Sequence, residues 1–260
     1  MKIGLFIPCY VDQFYPQAGI ATLELLEKLG CEVGYPPDQT CCGQPMANAG
    51  FARWTGACDA NFLDNFEGYD YIVSPSGSCI LHLKEHLPVP AASAAEHAHR
   101  EAPLPGKSTA KAAGTLFELC EFLTDVLKIN QLDSSFPHRV GLHVSCHGQR
   151  MLGLSSMAER VGESFSKPRA LLQMVRGLEL VELDRPDECC GFGGTFCVTE
   201  EAVSVKMGKD RVADHLSKKV EYITGGDMSC LMHLEGILKR QGSGVRVMHL
   251  AEILNFGTRI

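Results

Sequence analysis

Hydrophobic residues along the chain fall into short apolar runs that alternate with amphipathic segments of helical period. This alternation is typical of α/β proteins, in which strands form a parallel sheet and helices cover it. In the first half, runs at 2–8, 32–35 and 69–74 predict strands, and segments at 19–29, 47–66, 78–86 and 116–127 predict helices. The first half therefore predicts one small parallel sheet flanked by helices.

The second half repeats the same order of elements. It predicts strands at 139–145, 178–183, 221–224 and 245–249, and helices at 168–176, 200–216, 228–239 and 250–254. Such a repeat indicates a duplication, so the expected fold class is α/β with two pseudo-symmetric tandem units. The boundary is expected in a polar stretch near residue 132, which gives units 1–132 and 133–260. Residues 88–114, rich in alanine and proline, are expected to form a surface insertion in the first unit.

Eight of the twelve cysteines support the duplication, because they recur as two sets of one pattern. Each set has a single cysteine, then a Cys-Cys-Gly triplet, then a cysteine within a Ser-Cys-x-x-His sequence. The first set is Cys9, Cys41, Cys42 and Cys79, and the second is Cys146, Cys189, Cys190 and Cys230. Corresponding cysteines are 137, 148 and 151 residues apart, as expected when loops between fixed elements differ in length.

The predicted elements bring the cysteines of each set together. The first cysteine ends a strand, the pair follows a second strand, and the last cysteine opens a helix. The carboxyl ends of parallel strands share one edge of a sheet, where ligands bind. At a helix start the dipole lowers a thiol pKa and favours metal ligation, with Ser76 or Ser78 and Asp227 as the expected N-caps. The glycine after each pair allows the backbone to turn both sulfurs toward one site.

Composition narrows the chemistry of these sets. The chain of 260 residues has 45% hydrophobic residues and a net charge of -7, which gives no reason to expect binding to nucleic acid or anionic membranes. The apolar run at the N-terminus is too short for a signal peptide or a membrane span, so a cytoplasmic location is expected. In the cytoplasm, clustered cysteines more often form metal or redox sites than disulfides. Iron–sulfur clusters and tetrahedral zinc both stay open, and the sequence has no dinucleotide fingerprint.

Two histidines accompany the cysteine sets. His82 and His233 lie three residues after the last cysteine of each set, so each falls on the same helix face as that cysteine. Each is a candidate ligand of a bound cluster, or a donor to its sulfurs. The four cysteines outside the sets are expected to be small structural residues: Cys31, Cys58, Cys120 and Cys197.

Three segments resemble the cysteine-rich CCG-domain iron–sulfur oxidoreductase family, which includes a cysteine-rich component of heterodisulfide reductase and the iron–sulfur component of glycolate oxidase. They are residues 189–196, 227–233 and 247–254. The resemblance covers essentially the whole chain and is strongest to the small stand-alone members. It implies an electron-transfer subunit, not catalytic alone, of a complex that oxidises L-lactate to pyruvate. The implied partners are a ferredoxin-like iron–sulfur subunit and a third small subunit, through which any membrane association would be made.

The resemblance also implies a cofactor and its ligands. The implied cofactors are two [4Fe–4S] clusters held by the eight cysteines of the two sets, with zinc as the alternative in one site. Heterodisulfide reductase has a fifth cysteine where this chain has His82 and His233, so clusters that need five thiolates are not expected. Two other functions stay open: a zinc-containing scaffold with one redox cluster, and a subunit of a heterodisulfide or thiol reductase.

Overall fold

The computed structural model of the protein describes residues 1–87 and 115–257. The expected insertion at 88–114 lies outside the described residues. Within them the protein has two four-stranded sheets, one from each half of the chain. Every strand pair in both sheets is parallel. The predicted α/β fold with two tandem units is confirmed.

The strands follow the same order in both sheets. The first sheet has the order β2-β1-β3-β4, formed by β1 (Lys2–Leu5), β2 (Glu32–Gly34), β3 (Tyr71–Ser74) and β4 (Leu116–Glu118). The second has the order β6-β5-β7-β8, formed by β5 (Arg139–Leu142), β6 (Glu179–Leu180), β7 (Tyr222–Gly225) and β8 (Arg246–His249). In each sheet the first strand of the unit lies between the second and third, so the carboxyl ends of all three are neighbours.

Helices connect the strands and cover the sheets. The first half has α1 (Cys9–Phe14), α2 (Pro16–Lys28), α3 (Gln44–Met46), α4 (Gly56–Phe66), α5 (Gly77–His86) and α6 (Leu119–Glu121). The second half has α7 (Lys167–Gln173), α8 (Phe196–Thr199), α9 (Glu201–Ser217), α10 (Met228–Arg240) and α11 (Leu250–Leu254). Short π-helical segments lie at Ala47–Phe51, Phe122–Val126 and His147–Met151, and a 3-10 turn at Ala52–Trp54. None of the helices in the described ranges combines the length and the apolar character that crossing a membrane requires.

The segment predicted as a helix at 116–127 begins instead as strand β4. Leu116 pairs with Ile72 on the neighbouring strand, which places these residues in the sheet. Glu118 then ends the strand and starts the helix, because its carboxylate accepts the N–H groups of Cys120 and Glu121. The apolar residues of this segment belong first to a strand and then to a helix. Their helical spacing therefore predicted the wrong element for residues 116–118.

The strands before the first cysteine of each set are shorter than predicted. β1 and β5 end four residues before Cys9 and Cys146, so neither cysteine ends a strand. Cys9 is the first residue of α1, and Pro8 stands at the N-cap of that helix. Proline has no N–H to give to a neighbouring strand, so the parallel ladder stops before it.

One hydrophobic core extends through both halves of the chain. It contains buried Ile3 and Leu26 from the first unit together with Val140 and Leu250 from the second. Helix α2 packs against α11, the last helix of the second unit. The two units are therefore joined through their core as well as through the polypeptide, and the burial of this apolar surface holds them together.

The helices that carry the last cysteine of each set are joined at their N-termini. Ser76 caps α5 as predicted, with its hydroxyl accepting the N–H of Cys79 at 3.3 Å. Asp227, predicted to cap α10, makes no such bond. Its carboxylate instead crosses to the first unit, where the Ser76 hydroxyl donates at 2.7 Å and the Ser78 N–H and hydroxyl donate at 3.2 and 2.9 Å.

The buried carboxyl of Glu118 is expected to make stability depend on pH. Burial raises the pKa of Glu118 from 4.5 to about 8, so the folded protein keeps a proton that the unfolded chain has lost. From about pH 6 to pH 8 the unfolding free energy should therefore fall, by about 2 kcal/mol from this group. Urea denaturation at several pH values over this range measures the unfolding free energy of the wild type and of Glu118→Gln. The wild-type value should fall relative to the Glu118→Gln value as the pH rises. Parallel curves for the two proteins would contradict the prediction.

Candidate metal centres

The first cysteine of each set lies just beyond the carboxyl end of a central strand. Cys9 begins α1, and Cys146 stands at the N-cap of the π-helical segment that follows β5. Both side chains are half-buried. Because β1 and β5 are central in their sheets, both cysteines lie at the edge where ligands of parallel α/β sheets bind.

The glycine of each Cys-Cys-Gly triplet has a left-handed backbone. The φ angle is 92° at Gly43 and 87° at Gly191, a conformation that glycine adopts readily and other residues resist. The N–H of each glycine lies 3.4 Å from the sulfur of the first cysteine in its triplet. The N–H of Phe192 lies 3.5 Å from the sulfur of Cys190. The turn therefore points backbone donors at the cysteine sulfurs.

The last cysteine of each set opens a helix, which confirms the prediction. Cys79 is the third residue of α5 and Cys230 the third residue of α10. Both thiols therefore lie in the first helical turn.

The four thiols of the first set form a continuous chain of contacts. The sulfurs of Cys9 and Cys41 are 3.9 Å apart. Cys42 is in contact with both Cys41 and Cys79. Contacts with the Cys42 and Cys9 thiols lower the pKa of Cys41 to about 2, and the same contacts raise the pKa of Cys9 and Cys42. The set thus concentrates four potential thiolates at one place.

The second set repeats this arrangement residue for residue. Contacts with Cys146 and Cys190 lower the pKa of Cys189 to about 2. The contact with Cys189, followed by that with Cys230, raises the pKa of Cys190. The order of contacts along the chain is the same in both sets, so the duplication extends from the sheets to the thiols.

Four adjacent thiols cannot all ionise without a cation, since each thiolate disfavours the next. A bound metal or cluster supplies that positive charge and is the natural occupant of such a site. The second cysteine of each triplet is buried: Cys42 is 4% and Cys190 2% exposed. Backbone N–H groups already face the sulfurs. The donor set therefore fits a thiolate-bound metal centre or iron–sulfur cluster in each unit.

His82 lies against the first triplet. It is buried, its ring stacks on His86 at 4.1 Å, and its Nε2 has no hydrogen-bond partner. That nitrogen is 3.4 Å from the place where a Cβ on Gly43 would be. Burial, followed by the charge of His86, lowers the pKa of His82 to about 4. His82 therefore brings a neutral ring beside the first set, and its part in binding stays a prediction.

His233 has a different environment. Its ring nitrogen Nε2 lies 3.4 Å from the carbonyl oxygen of Ser204, and its ring is 6.2 Å from that of Phe192. Burial lowers its pKa. The two histidines that recur in the sequence therefore differ in their contacts, and the role of His233 as ligand or donor also stays a prediction.

A third histidine, not predicted from the sequence, lies at the second set. A ring nitrogen of His143 and the sulfurs of Cys190 and Cys230 all lie within 4.8 Å of one another. His143 Nδ1 accepts a hydrogen bond of 3.1 Å from Nε of Arg211. Burial, followed by the charge of Arg211, lowers the pKa of His143 to about 3, so the ring is neutral. In the sequence, the one feature that indicates His143 as a site residue is its position three residues before Cys146.

The cysteines outside the two sets lie in ordinary structural positions. Cys31 and Cys120 are buried in the core. Cys120 is the second residue of α6, as Ala251 is of α11 in the second unit. Cys58 is within α4 and half-buried. The Cys197 thiol donates to the carbonyl of Gly194 at 3.1 Å.

Two thiol sites on a duplicated parallel α/β fold define a cysteine-rich, metal-binding class of protein. The sequence matches the family described as CCG, cysteine-rich domain, over residues 3–84 and 140–235, one stretch in each unit. The chain therefore belongs to the CCG cysteine-rich domain family.

Among named relatives, the chain is similar over nearly its whole length to proteins called lactate utilization protein A. It is 41% identical over 256 residues to that of Geobacillus sp. (strain WCH70), covering 98% of this chain and 99% of the relative. It is 39% identical over 256 residues to that of Oceanobacillus iheyensis, covering 98% and 97%. For Bacillus licheniformis the identity is 38% over 255 residues, covering 98% and 99%.

A solved structure shares the fold. The crystal structure of a hypothetical protein from Helicobacter pylori superposes with a TM-score of 0.61 at 13% sequence identity. The match covers 100% of this chain and 49% of that chain. At this identity the similarity concerns the fold alone.

Proposed function

We propose that this chain is an iron–sulfur electron-transfer subunit of an oxidoreductase complex that oxidises L-lactate to pyruvate. It would bind two [4Fe–4S] clusters, one through each cysteine set. The observation that carries the proposal is the convergence of four thiols, in the same order, in both units. The relatives named lactate utilization protein A support the assignment to lactate.

The chemistry of the reaction suits two such sites. Oxidation of L-lactate to pyruvate releases two electrons and two protons, and a [4Fe–4S] cluster supplies one-electron transfer when bound. The chain contributes the thiolates, the N–H groups of Gly43 and Gly191 that face them, and the burial of Cys42 and Cys190. Burial and hydrogen bonds to sulfur are the means by which proteins set the potential of such sites.

We propose that the chain works in the cytoplasm as one subunit of a complex. The resemblance to the family supports a ferredoxin-like iron–sulfur subunit and a third small subunit as its companions. We expect the substrate-binding step and the final electron acceptor to belong to the complex as a whole, so the isolated chain should not oxidise lactate.

Two measurements test the proposal. Anaerobically purified protein should contain about eight irons and about eight sulfides per chain. Deletion of its gene in the source organism should abolish growth on L-lactate but not on pyruvate, and the wild-type gene should restore it. Stoichiometric zinc with little sulfide, or unimpaired growth on L-lactate, would contradict the proposal.

One observation favours a second candidate, zinc in the second set. A ring nitrogen of His143 together with Cys190 and Cys230 forms the one group among the described residues whose donor atoms are close enough for a single ion. Histidine and thiolate are both common zinc ligands. On this alternative the second set is a structural site, and the metal analysis should find about one zinc and about four irons per chain.

A further inference from the structure

The two cysteine sets are backed by equivalent positions that carry different side chains. Gly4 and Gly141 occupy corresponding places in β1 and β5. A Cβ on Gly4 would meet the ring of Phe66, and a Cβ on Gly141 would meet the ring of His215. Phe66 of α4 and His215 of α9 are therefore equivalent, although one is apolar and the other polar.

Two more equivalent pairs follow from this one. One helical turn before Phe66 and His215, the same faces of α4 and α9 carry Phe62 and Arg211. At the carboxyl ends of β1 and β5, three residues before the first cysteine, the pair is Phe6 and His143. Three aromatic residues in the first unit thus correspond to two histidines and an arginine in the second.

Behind the first set the three residues form an apolar wall. The ring of Phe6 lies 5.3 Å from that of Phe62 and 5.8 Å from that of Phe66, both edge-on. Phe62 and Phe66 stack at 4.7 Å. All three are buried. None of these side chains has an N–H or O–H to offer to a sulfur.

Behind the second set the wall is polar and carries a buried charge. Arg211 is fully buried, and its Nε donates to Nδ1 of His143 at 3.1 Å. Its remaining N–H groups donate to the Arg185 carbonyl at 2.6 Å, to the Asp214 carboxylate at 3.3 Å and to the Leu142 carbonyl at 3.3 Å. The guanidinium is thus held in one place and one orientation.

The hydrogen bond from Arg211 determines which ring nitrogen of His143 carries the proton. A guanidinium N–H can only donate, so Nδ1 of His143 must accept and cannot itself be protonated. A neutral imidazole then carries its hydrogen on Nε2. Nε2 is buried and has no hydrogen-bond partner, while the sulfurs of Cys190 and Cys230 are close to the ring. A ring nitrogen that carries hydrogen has no lone pair for a metal.

We propose that Nε2–H of His143 donates a hydrogen bond to sulfur at the second set, with Arg211 as the positioning residue that fixes the tautomer. His143 is then not a metal ligand, which argues against the zinc alternative at the second set. The inference rests on the proposed function where it concerns redox behaviour: the Nε2–H donor raises the reduction potential of the cluster at the second set.

The direction of this effect follows from charge. A cluster becomes more negative when it is reduced, so a nearby N–H donor stabilises the reduced form more than the oxidised form. At the equivalent place the first set has the apolar wall of Phe6, Phe62 and Phe66, and its own unpartnered ring nitrogen, Nε2 of His82, lies beside Gly43 instead. The two sites therefore share their thiols but differ in what surrounds them.

A redox titration of the reconstituted full chain, followed by electron paramagnetic resonance, tests the potential. In His143→Phe, which copies the first unit, one of the two potentials should fall while the iron content stays at the wild-type value. His143→Gln keeps an N–H and should fall less. An unchanged potential would overturn the proposal, and so would the loss of half the iron, because His143 would then be a ligand.

Two controls assign the change to a site. Phe6→Leu alters the corresponding wall of the first set and should leave the second potential where it is. In a Cys42→Ala background, where only the second site is filled, the potential that remains should be the one that His143→Phe lowers. A fall in the other potential would overturn the assignment.

The proton position is tested without any cluster. Nitrogen NMR of the metal-free, reduced full chain, labelled in histidine, should show His143 with a bare Nδ1 and a protonated Nε2. Hydrogen on Nδ1 would overturn the proposal. If the wild type binds no iron, the proposed function fails, but this measurement still decides the donor role of His143, so the two failures are distinguishable.

Discussion

A Cys190→Ala protein is expected to bind about half the iron of the wild type, roughly four irons instead of roughly eight per chain. Cys190 is 2% exposed and joins Cys189 to Cys230 in the chain of contacts of the second set. Its loss leaves three thiols, and no other cysteine replaces it in that chain of contacts. The first set lies in the other unit and should keep its iron.

The chain provides matched variants for this experiment. Cys42→Ala removes the equivalent thiol of the first set and should cost the other half of the iron. Cys120→Ala removes a cysteine that is equally buried, at 2% exposure, and copies Ala251 of the second unit, so it should keep all the iron. Iron and sulfide are measured after anaerobic reconstitution. Full iron content in Cys190→Ala, or a loss in Cys120→Ala, would contradict the ligand assignment.

A Gly191→Ala protein is expected to lose roughly 2–4 kcal/mol of unfolding free energy. A Cβ at this position would lie 2.6 Å from the carbonyl oxygen of Ser204 and 2.8 Å from Cβ of Met207, so the backbone of the triplet or of α9 has to move. The left-handed φ of 87° adds its own cost. The Ser204 hydroxyl also donates to the Gly191 carbonyl at 2.7 Å, a contact that the shift would stretch.

Gly50 provides a control that separates the cost of the steric contact from the cost of the left-handed backbone. Its φ is also 87°, but a Cβ there would have no atom within 4 Å. Gly50→Ala should therefore cost only about 1 kcal/mol, the strain of the left-handed backbone offset by the smaller freedom of the unfolded chain. Urea denaturation of the metal-free, reduced proteins gives both values. Equal losses for the two variants would mean that the contact with Ser204 has no effect.

Much of this architecture could be predicted from the sequence. Short apolar runs that precede the cysteines predict the parallel strands, and the strand order is the same in both units. The eight cysteines could be grouped into two sets because one spacing pattern occurs twice, which core packing does not produce. The N-terminal strand of each unit was predicted too long, because Ile7 and Val144 are as apolar as strand residues although the ladder has already ended.

The features that were missed depend on contacts between distant parts of the chain. Arg211 looks like one more charged residue of an amphipathic helix, yet it is fully buried against His143, 68 positions away. No local periodicity reveals such a pair. Comparison of the two units does give a signal, since Phe6 and His143 stand in the same place and differ in chemistry. Asp227 was assigned a local cap because its partner Ser76 lies in the other unit.

The bond between Asp227 and Ser76 also bears on how the chain arose. The two residues occupy the same position in their units, 151 residues apart. In a dimer of identical subunits, a two-fold axis would place this position against its own copy, so that two aspartates or two serines would meet. Fusion of both halves into one gene removes that restriction. An acceptor on one side and donors on the other require two halves that differ in sequence, which a single polypeptide provides.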